Sequence, residues 1–282
     1  MKKLFYISIT LFSFLWTACS SSTDSKSTPD QEIPSKDDQM INDSTSLVLT
    51  NGSIKLTEVV GSPEFPDSKL SILSPAINSN EEVGAVNFNF KIDGGKYELG
   101  SQSVDAHSKG CSNSDKGQHI HLILNNAPYQ ASYTTDFDSK ELEAGNYVAL
   151  AFISRSYHES LKHKGAYALT QFKVGEEEMD EIDLDAPHLF YSRPKGDYKE
   201  GDTENIMLDF YLVNTEIKEN GNYVQVTFNN ETEFKIKKWA PYFVQGLPLG
   251  TNTVKIELYN EKGEFIEGPF NSETRSFNLL KS

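Results

Sequence analysis

The chain repeats itself, and that repeat limits its architecture more than any other feature. "LSILSP" (70–75) returns as "LFYSRP" (189–194), "NFNFKI" (87–92) as "MLDFYL" (207–212), and "LEAG" (142–145) as "LPLG" (247–250). "GQHIHLILNN" (117–126) and "GNYVQVTFNN" (221–230) match with identical spacing. Each copy holds short runs rich in β-branched and aromatic residues, such as "NYVALAFIS" and "NTVKIELYN", bounded by Gly, Asn, Asp and Pro. Runs of this kind are strands, and no helix-period segment of convincing length interrupts them. The expected fold class is all-β: two tandem β-sandwiches of six or seven strands each.

The boundaries follow from composition. The first sandwich is expected over 47–175, with "VLTNGSIKLTEVVGSPEFPDSK" (48–69) adding an N-terminal hairpin to it, and the second over 188–282. Seven of the ten residues from Glu176 to Asp185 are acidic. Like charges repel and extend a chain, so 176–187 reads as a solvated acidic hinge. Strand number and spacing resemble immunoglobulin- or fibronectin-like domains, without the Cys–Trp–Cys pattern of antibody domains. "GQHIHLILNN", "SRSYHES" and "GSPEFPD" also resemble a group of two-domain Gram-negative outer-membrane lipoproteins of unestablished activity. A phosphopeptide-binding label is sometimes attached to that group. The cations that would support it here, Lys116, Arg155, Lys162 and Lys164, are few.

The N-terminal residues read as an export signal. Lys2 and Lys3 precede an apolar run, Leu4 to Trp16, of 13 residues, too short for a stable span. "TAC" then leads to Cys19, which resembles the lipobox of bacterial lipoproteins, with Trp16 standing where Leu is usual. The resemblance implies a signal over 1–18, lipidation at Cys19 and, with Ser20 next, an outer-membrane location facing either the periplasm or the cell surface. Residues 19–46, rich in Ser, Asp and Lys, are expected to form a flexible tether spanning about 30 Å. Apart from Cys19 the only cysteine is Cys111, so no intramolecular disulfide is available to the folded part. A formal net charge of −15 argues against nucleic acid and against an anionic membrane surface as partners.

Two histidines, His119 and His121, stand one residue apart in the strand "HIHLILN". Strand side chains alternate. Aligning this strand with "YVQVTFN" buries Ile120, Leu122 and Leu124 and sends both rings to the other face, which is expected to be exposed. The first copy also carries about sixteen extra residues between its second and third strands, including His107 and Cys111. In sandwich topology this loop lies at the same end as "SRSYHESLKHKGA", which holds Arg155, Tyr157, His158 and Glu159.

Three functions fit that end of the molecule. The first is a non-enzymatic module that recognises a protein or glycan through Arg155, Tyr157, His158 and Glu159. The second is a Cu or Zn site built from His119, His121 and His158, with His107 and Cys111 as secondary ligands. The third is catalysis by Ser156, His158 and Glu159, but no nucleophile elbow, phosphate loop or zincin helix accompanies them.

Overall fold

The computed structural model describes residues 46–281 apart from residue 177; the expected export signal, Cys19 and the expected tether up to residue 45 lie outside the described residues. The described residues fall in one compact unit. Strands β1 (Val48–Asn51) and β2 (Ile54–Glu58) open the chain. Strands β3 (Lys69–Ser74), β4 (Ser79–Glu81) and β5 (Gly84–Asp93) follow, then helix α1 (Ala106–Lys109) within the long loop. Next come β6 (His119–Leu124), β7 (Gln130–Ser132), β8 (Asp136–Leu142), β9 (Gly145–Ser154) and β10 (Tyr167–Val174). The second copy supplies β11 (His188–Arg193), β12 (Gly196–Tyr198), β13 (Ile206–Val213), β14 (Tyr223–Phe228) and β15 (Thr232–Ile236). It ends with β16 (Tyr242–Gln245), β17 (Gly250–Tyr259) and β18 (Ser272–Leu279).

Two sandwiches result, as the repeat requires. In the first, sheet β3-β5-β8 faces sheet β4-β10-β9-β6-β7; in the second, β11, β13 and β16 face β12-β18-β17-β14-β15. A short strand pairs in parallel with the last strand of each copy, β4 on β10 and β12 on β18. Each copy also carries the same register shift in its first strand, after Ile72 and after Tyr191.

The N-terminal hairpin is not where the sequence reading put it. β2 pairs with β16, so β1 and β2 extend the second sandwich, not the first. The alternation of "IKLTE" explains the choice of face: Ile54 and Leu56 are buried in the core with Leu208, Tyr242 and Val244. Nothing local to a strand specifies which sheet edge it will join. From β1 onward the chain therefore runs from the second sandwich to the first and back.

A third apolar cluster joins the two sandwiches. Ile123, Val148, Leu150 and Phe152 leave the outer face of β6 and β9 and meet Phe190, Tyr211, Val213 and Phe270 of the second copy. On the same strands Ile120, Leu122, Ala149 and Ala151 face inward to the first core. Both faces of β6 and β9 are thus buried, and strands buried on both faces read as continuous apolar runs. Asn126 completes the contact: its side-chain amide donates to the Leu189 and Phe270 carbonyls, and its Oδ1 accepts from the Tyr191 N–H at 2.8 Å. The acidic segment is not a free hinge either. Ile182 and Leu184 pack on this cluster, and the Asn214 side chain donates to the Leu184 carbonyl at 2.6 Å.

Candidate metal centre

The interface decides the environment of the two strand histidines. His119 and His121 do point away from Ile120 and Leu122, but the face they occupy is covered, and both are fully buried. Ser192 covers His121, its Oγ 3.3 Å from Nδ1. Ser192 sits at the register shift of β11, where a bulge re-aims side chains. The expectation of an exposed pair fails because the aligned copy, β14, has no domain packed on its outer face.

His158 arrives from the β9–β10 loop. Its backbone is left-handed, with φ 69°, an uncommon conformation for a residue other than glycine. The loop is clamped from both sides. Arg155 Nη1 pairs with Glu159 Oε1 at 2.7 Å and its Nε donates to the Pro63 carbonyl. Ser62 Oγ donates to Glu159 Oε2, and Tyr157 Oη donates to Asp105 Oδ2. Arg155, Tyr157 and Glu159 are all buried, so they do not form the exposed recognition surface read from the sequence. The connector 59–66 and the long loop lie over them and turn them into supports for His158. Nor do they form a relay with Ser156, whose Oγ accepts from the Ser103 N–H while Glu159 is held by Arg155.

The three rings converge. Donor nitrogens of His119, His121 and His158 all lie within 4.8 Å of one another. His119 Nε2 is 2.9 Å from His121 Nε2 and 3.0 Å from His158 Nδ1. The tautomer of His119 follows from its other nitrogen: Nδ1 is 2.8 Å from the Gly117 carbonyl, which only accepts, so Nδ1 carries the proton. Nε2 then presents one lone pair to two ring nitrogens. It can accept one N–H well; the other contact sets a second unmatched group against it. The three nitrogens could hold a cation between them, and a backbone carbonyl fixing the far nitrogen, as Gly117 does for His119, is the usual support for a histidine ligand.

The remaining sequence candidates stand apart. Cys111 is half-buried against Val59, Ala106, Tyr157 and Met207, and burial pushes its thiol up to about 12. It stays protonated there, a poor ligand. His107 is exposed on α1. Neither joins the cluster, because the long loop folds onto the connector and the second sandwich instead. Tyr129, Ser192 and Arg193 were missed in the sequence. Tyr129 stacks on His121 with ring centroids 3.6 Å apart and planes 5° from parallel, and Arg193 Nη2 donates to its Oη at 2.6 Å.

Burial keeps all three imidazoles neutral, which is the ligating form. It pulls His119 down to about 4, with the charges of Arg193 and Lys195 adding to the effect. Burial likewise holds His121 and His158 well below the ordinary value. The unfolded chain protonates histidine near pH 6.5, so below that pH it binds protons that the folded state refuses. The metal-free protein is therefore expected to lose stability as pH falls from about 6.5 to about 4. His119 alone accounts for about 3 kcal/mol of that loss. Urea denaturation in chelator at pH 7 and pH 4.5 reads it; equal stabilities would contradict neutral histidines.

No family model matches the chain, and no curated protein matches it. Solved structures similar to it include fibronectin(III)-like modules of Clostridium thermocellum CbhA, at 10% identity and a TM-score of 0.27, covering 75% of this chain and 94% of that one. The central fibronectin-III array of RIM-binding protein is similar at 10% identity and a TM-score of 0.26, covering 79% and 72%. A Bacteroides ovatus mixed-linkage glucan utilization locus protein, SGBP-B, is similar at 8% identity and a TM-score of 0.23, covering 76% and 71%. The strand order itself defines the class: an all-β protein of two immunoglobulin/fibronectin-like sandwiches in tandem.

Proposed function

We propose that this protein is a lipid-anchored module of the cell envelope, held at the outer membrane through Cys19, whose domain junction binds one transition-metal ion, copper or zinc, through His119, His121 and His158. The observation that carries the metal reading is the single lone pair of His119 Nε2 facing two ring nitrogens at 2.9 and 3.0 Å. Imidazole donors suit zinc and copper. Bonds of about 2.0–2.1 Å to two nitrogens at this separation subtend about 90°, which favours tetragonal copper(II) over tetrahedral zinc. The role is that of a binding protein, not a catalyst. Calorimetric titration of residues 44–282 with Cu(II) and Zn(II) tests it: one ion per chain is expected, and no binding of either ion would refute it.

A second reading, recognition of a protein or glycan, moves from the buried loop residues to an open groove between the sandwiches. The groove has a volume of about 790 Å³ and is lined by Lys164, Tyr167, Leu212, Asn222 and Trp239 among others. Aromatic faces beside lysines at a domain junction suit a ligand carrying carboxylates. An acidic-glycan array probed with the protein and with Trp239→Ala checks it; binding that the substitution leaves intact would place any partner elsewhere.

A further inference from the structure

We propose that a small cavity at the turn between β11 and β12 binds a carboxylate carried on a short apolar group; the inference does not rest on the metal reading. The cavity has a volume of about 110 Å³ and is lined by Pro128, Tyr191, Pro194, Lys195 and Arg275 among others. Pro128 comes from the first copy and the other four from the second, so the cavity lies at the domain junction. It is smaller than the cavity of about 150 Å³ that takes a benzene ring.

Charge assigns it an anion. Arg193 and Lys195 pair with no carboxylate among the described residues. The chain does not lack acids, with 41 against 26 lysines and arginines. Arg193 is buried behind the cavity wall, since its two chain neighbours, Ser192 and Pro194, both line the cavity. Its Nη1 and Nη2 donate to the phenol oxygens of Tyr198 and Tyr129, and its buried Nε meets no acceptor among the described residues. Lys195 Nζ gives one of its three donors to the Tyr129 carbonyl at 2.7 Å, which leaves donors for a ligand. Arg275 Nη1 pairs with Glu273, its Nη2 donates to the Asn126 carbonyl, and its buried Nε is likewise unmet. Buried cations without a counter-charge are costly, and an anion in the cavity offsets that cost.

The fold does not require these charges. β12 lies on β18 as β4 lies on β10, with Gly196 opposite Phe277 and Ser79 opposite Phe172. By that register Thr170 holds the place of Arg275, and "PAIN" (75–78), the turn before Ser79, contains no cation. The first copy thus builds the same turn from neutral residues. The walls select the class of anion. Proline rings and Tyr191 offer few donors to the outward oxygens of a sulfate or phosphate. A carboxylate sets two oxygens against Lys195 and Arg275 and an apolar carbon against the prolines.

The test is an NMR titration of backbone amides with butyrate, beside butyramide as its uncharged isostere and sulfate as a tetrahedral anion. It is made in chelator, so its outcome is separate from that of the metal reading. Butyrate is expected to shift the amides of Lys195, Gly196 and Ser276 saturably, and butyramide and sulfate to bind about tenfold or more weakly. Lys195→Gln is expected to weaken butyrate by a similar factor. Butyramide binding as tightly as butyrate would overturn the anion, and this comparison uses the parent protein alone. A folded Lys195→Gln variant of unchanged affinity would overturn it too. Sulfate binding as tightly as butyrate would overturn the carboxylate class. Shifts that never saturate, or that fall away from the turn, would overturn the site.

Discussion

His119→Ala/His121→Ala is expected to abolish high-affinity metal binding and, with it, all metal-induced stabilisation. Two of the three nitrogens vanish, and His158 alone cannot hold an ion against water. For the parent protein, free metal at 100 times its dissociation constant adds about 2.7 kcal/mol to unfolding. In a unit of this size that raises Tm by about 5–10 °C. The double variant should show no such rise at the same metal concentration. The comparison is of increments, with and without metal in each protein. It therefore survives whatever the loss of two buried rings packed on Tyr129, Tyr133 and Phe152 does to the metal-free fold. An undiminished rise in the variant would place the ion elsewhere, for instance on the acidic segment 176–185.

Asp209→Ala is expected to be the most damaging single substitution outside the histidines. Asp209 lies on β13 of the second copy with its side chain fully buried, and Lys162 Nζ of the first copy is 2.5 Å from its Oδ1. The carboxylate also accepts from Ser160 Oγ at 3.1 Å and from the Ser160 N–H at 3.3 Å. The lysine is 11% exposed and packs over Trp239. Removing the acid leaves an ammonium in the interface with too little water to solvate it, which costs about 3–5 kcal/mol. Urea denaturation measures it. Replacing both partners, Asp209→Ala with Lys162→Met, should recover most of the loss, since the penalty belongs to the unpaired charge. A single-variant loss below about 1 kcal/mol would mean that the sandwiches are not joined through this pair.

Much of this architecture is legible in the sequence, and its gaps have physical causes. The two sandwiches follow from aligned strands with matching turns, because alternation and turn chemistry act locally. The hairpin could not be assigned, since "IKLTE" offers a buried face to any sheet edge and β16 lies far along the chain. The shared direction of His119 and His121 follows from alternation alone. Their burial does not, because it comes from a second face that β14 lacks. A signal for that face was present: "YVALAFIS" is apolar without alternation, whereas its counterpart "NTVKIELYN" alternates, as a strand open on one side does. "IMLDFYLV" carries the same continuous signature and forms the other half of the interface. His158 was legible as a loop histidine at the correct end. Cys111 and His107 were misplaced because the path of a long loop is set by what it packs against. Arg193 and Ser192 escaped notice because they reach the centre from the other copy, at a bulge that no local pattern marks.

The central claim is that His119, His121 and His158 share one ion at the junction of the two sandwiches. Anomalous diffraction from crystals grown with copper, collected above and below the copper edge, tests it most directly. The account predicts one strong peak at about 2.0–2.1 Å from His119 Nε2, His121 Nε2 and His158 Nδ1. A cluster without a peak in crystals that hold copper elsewhere would contradict it.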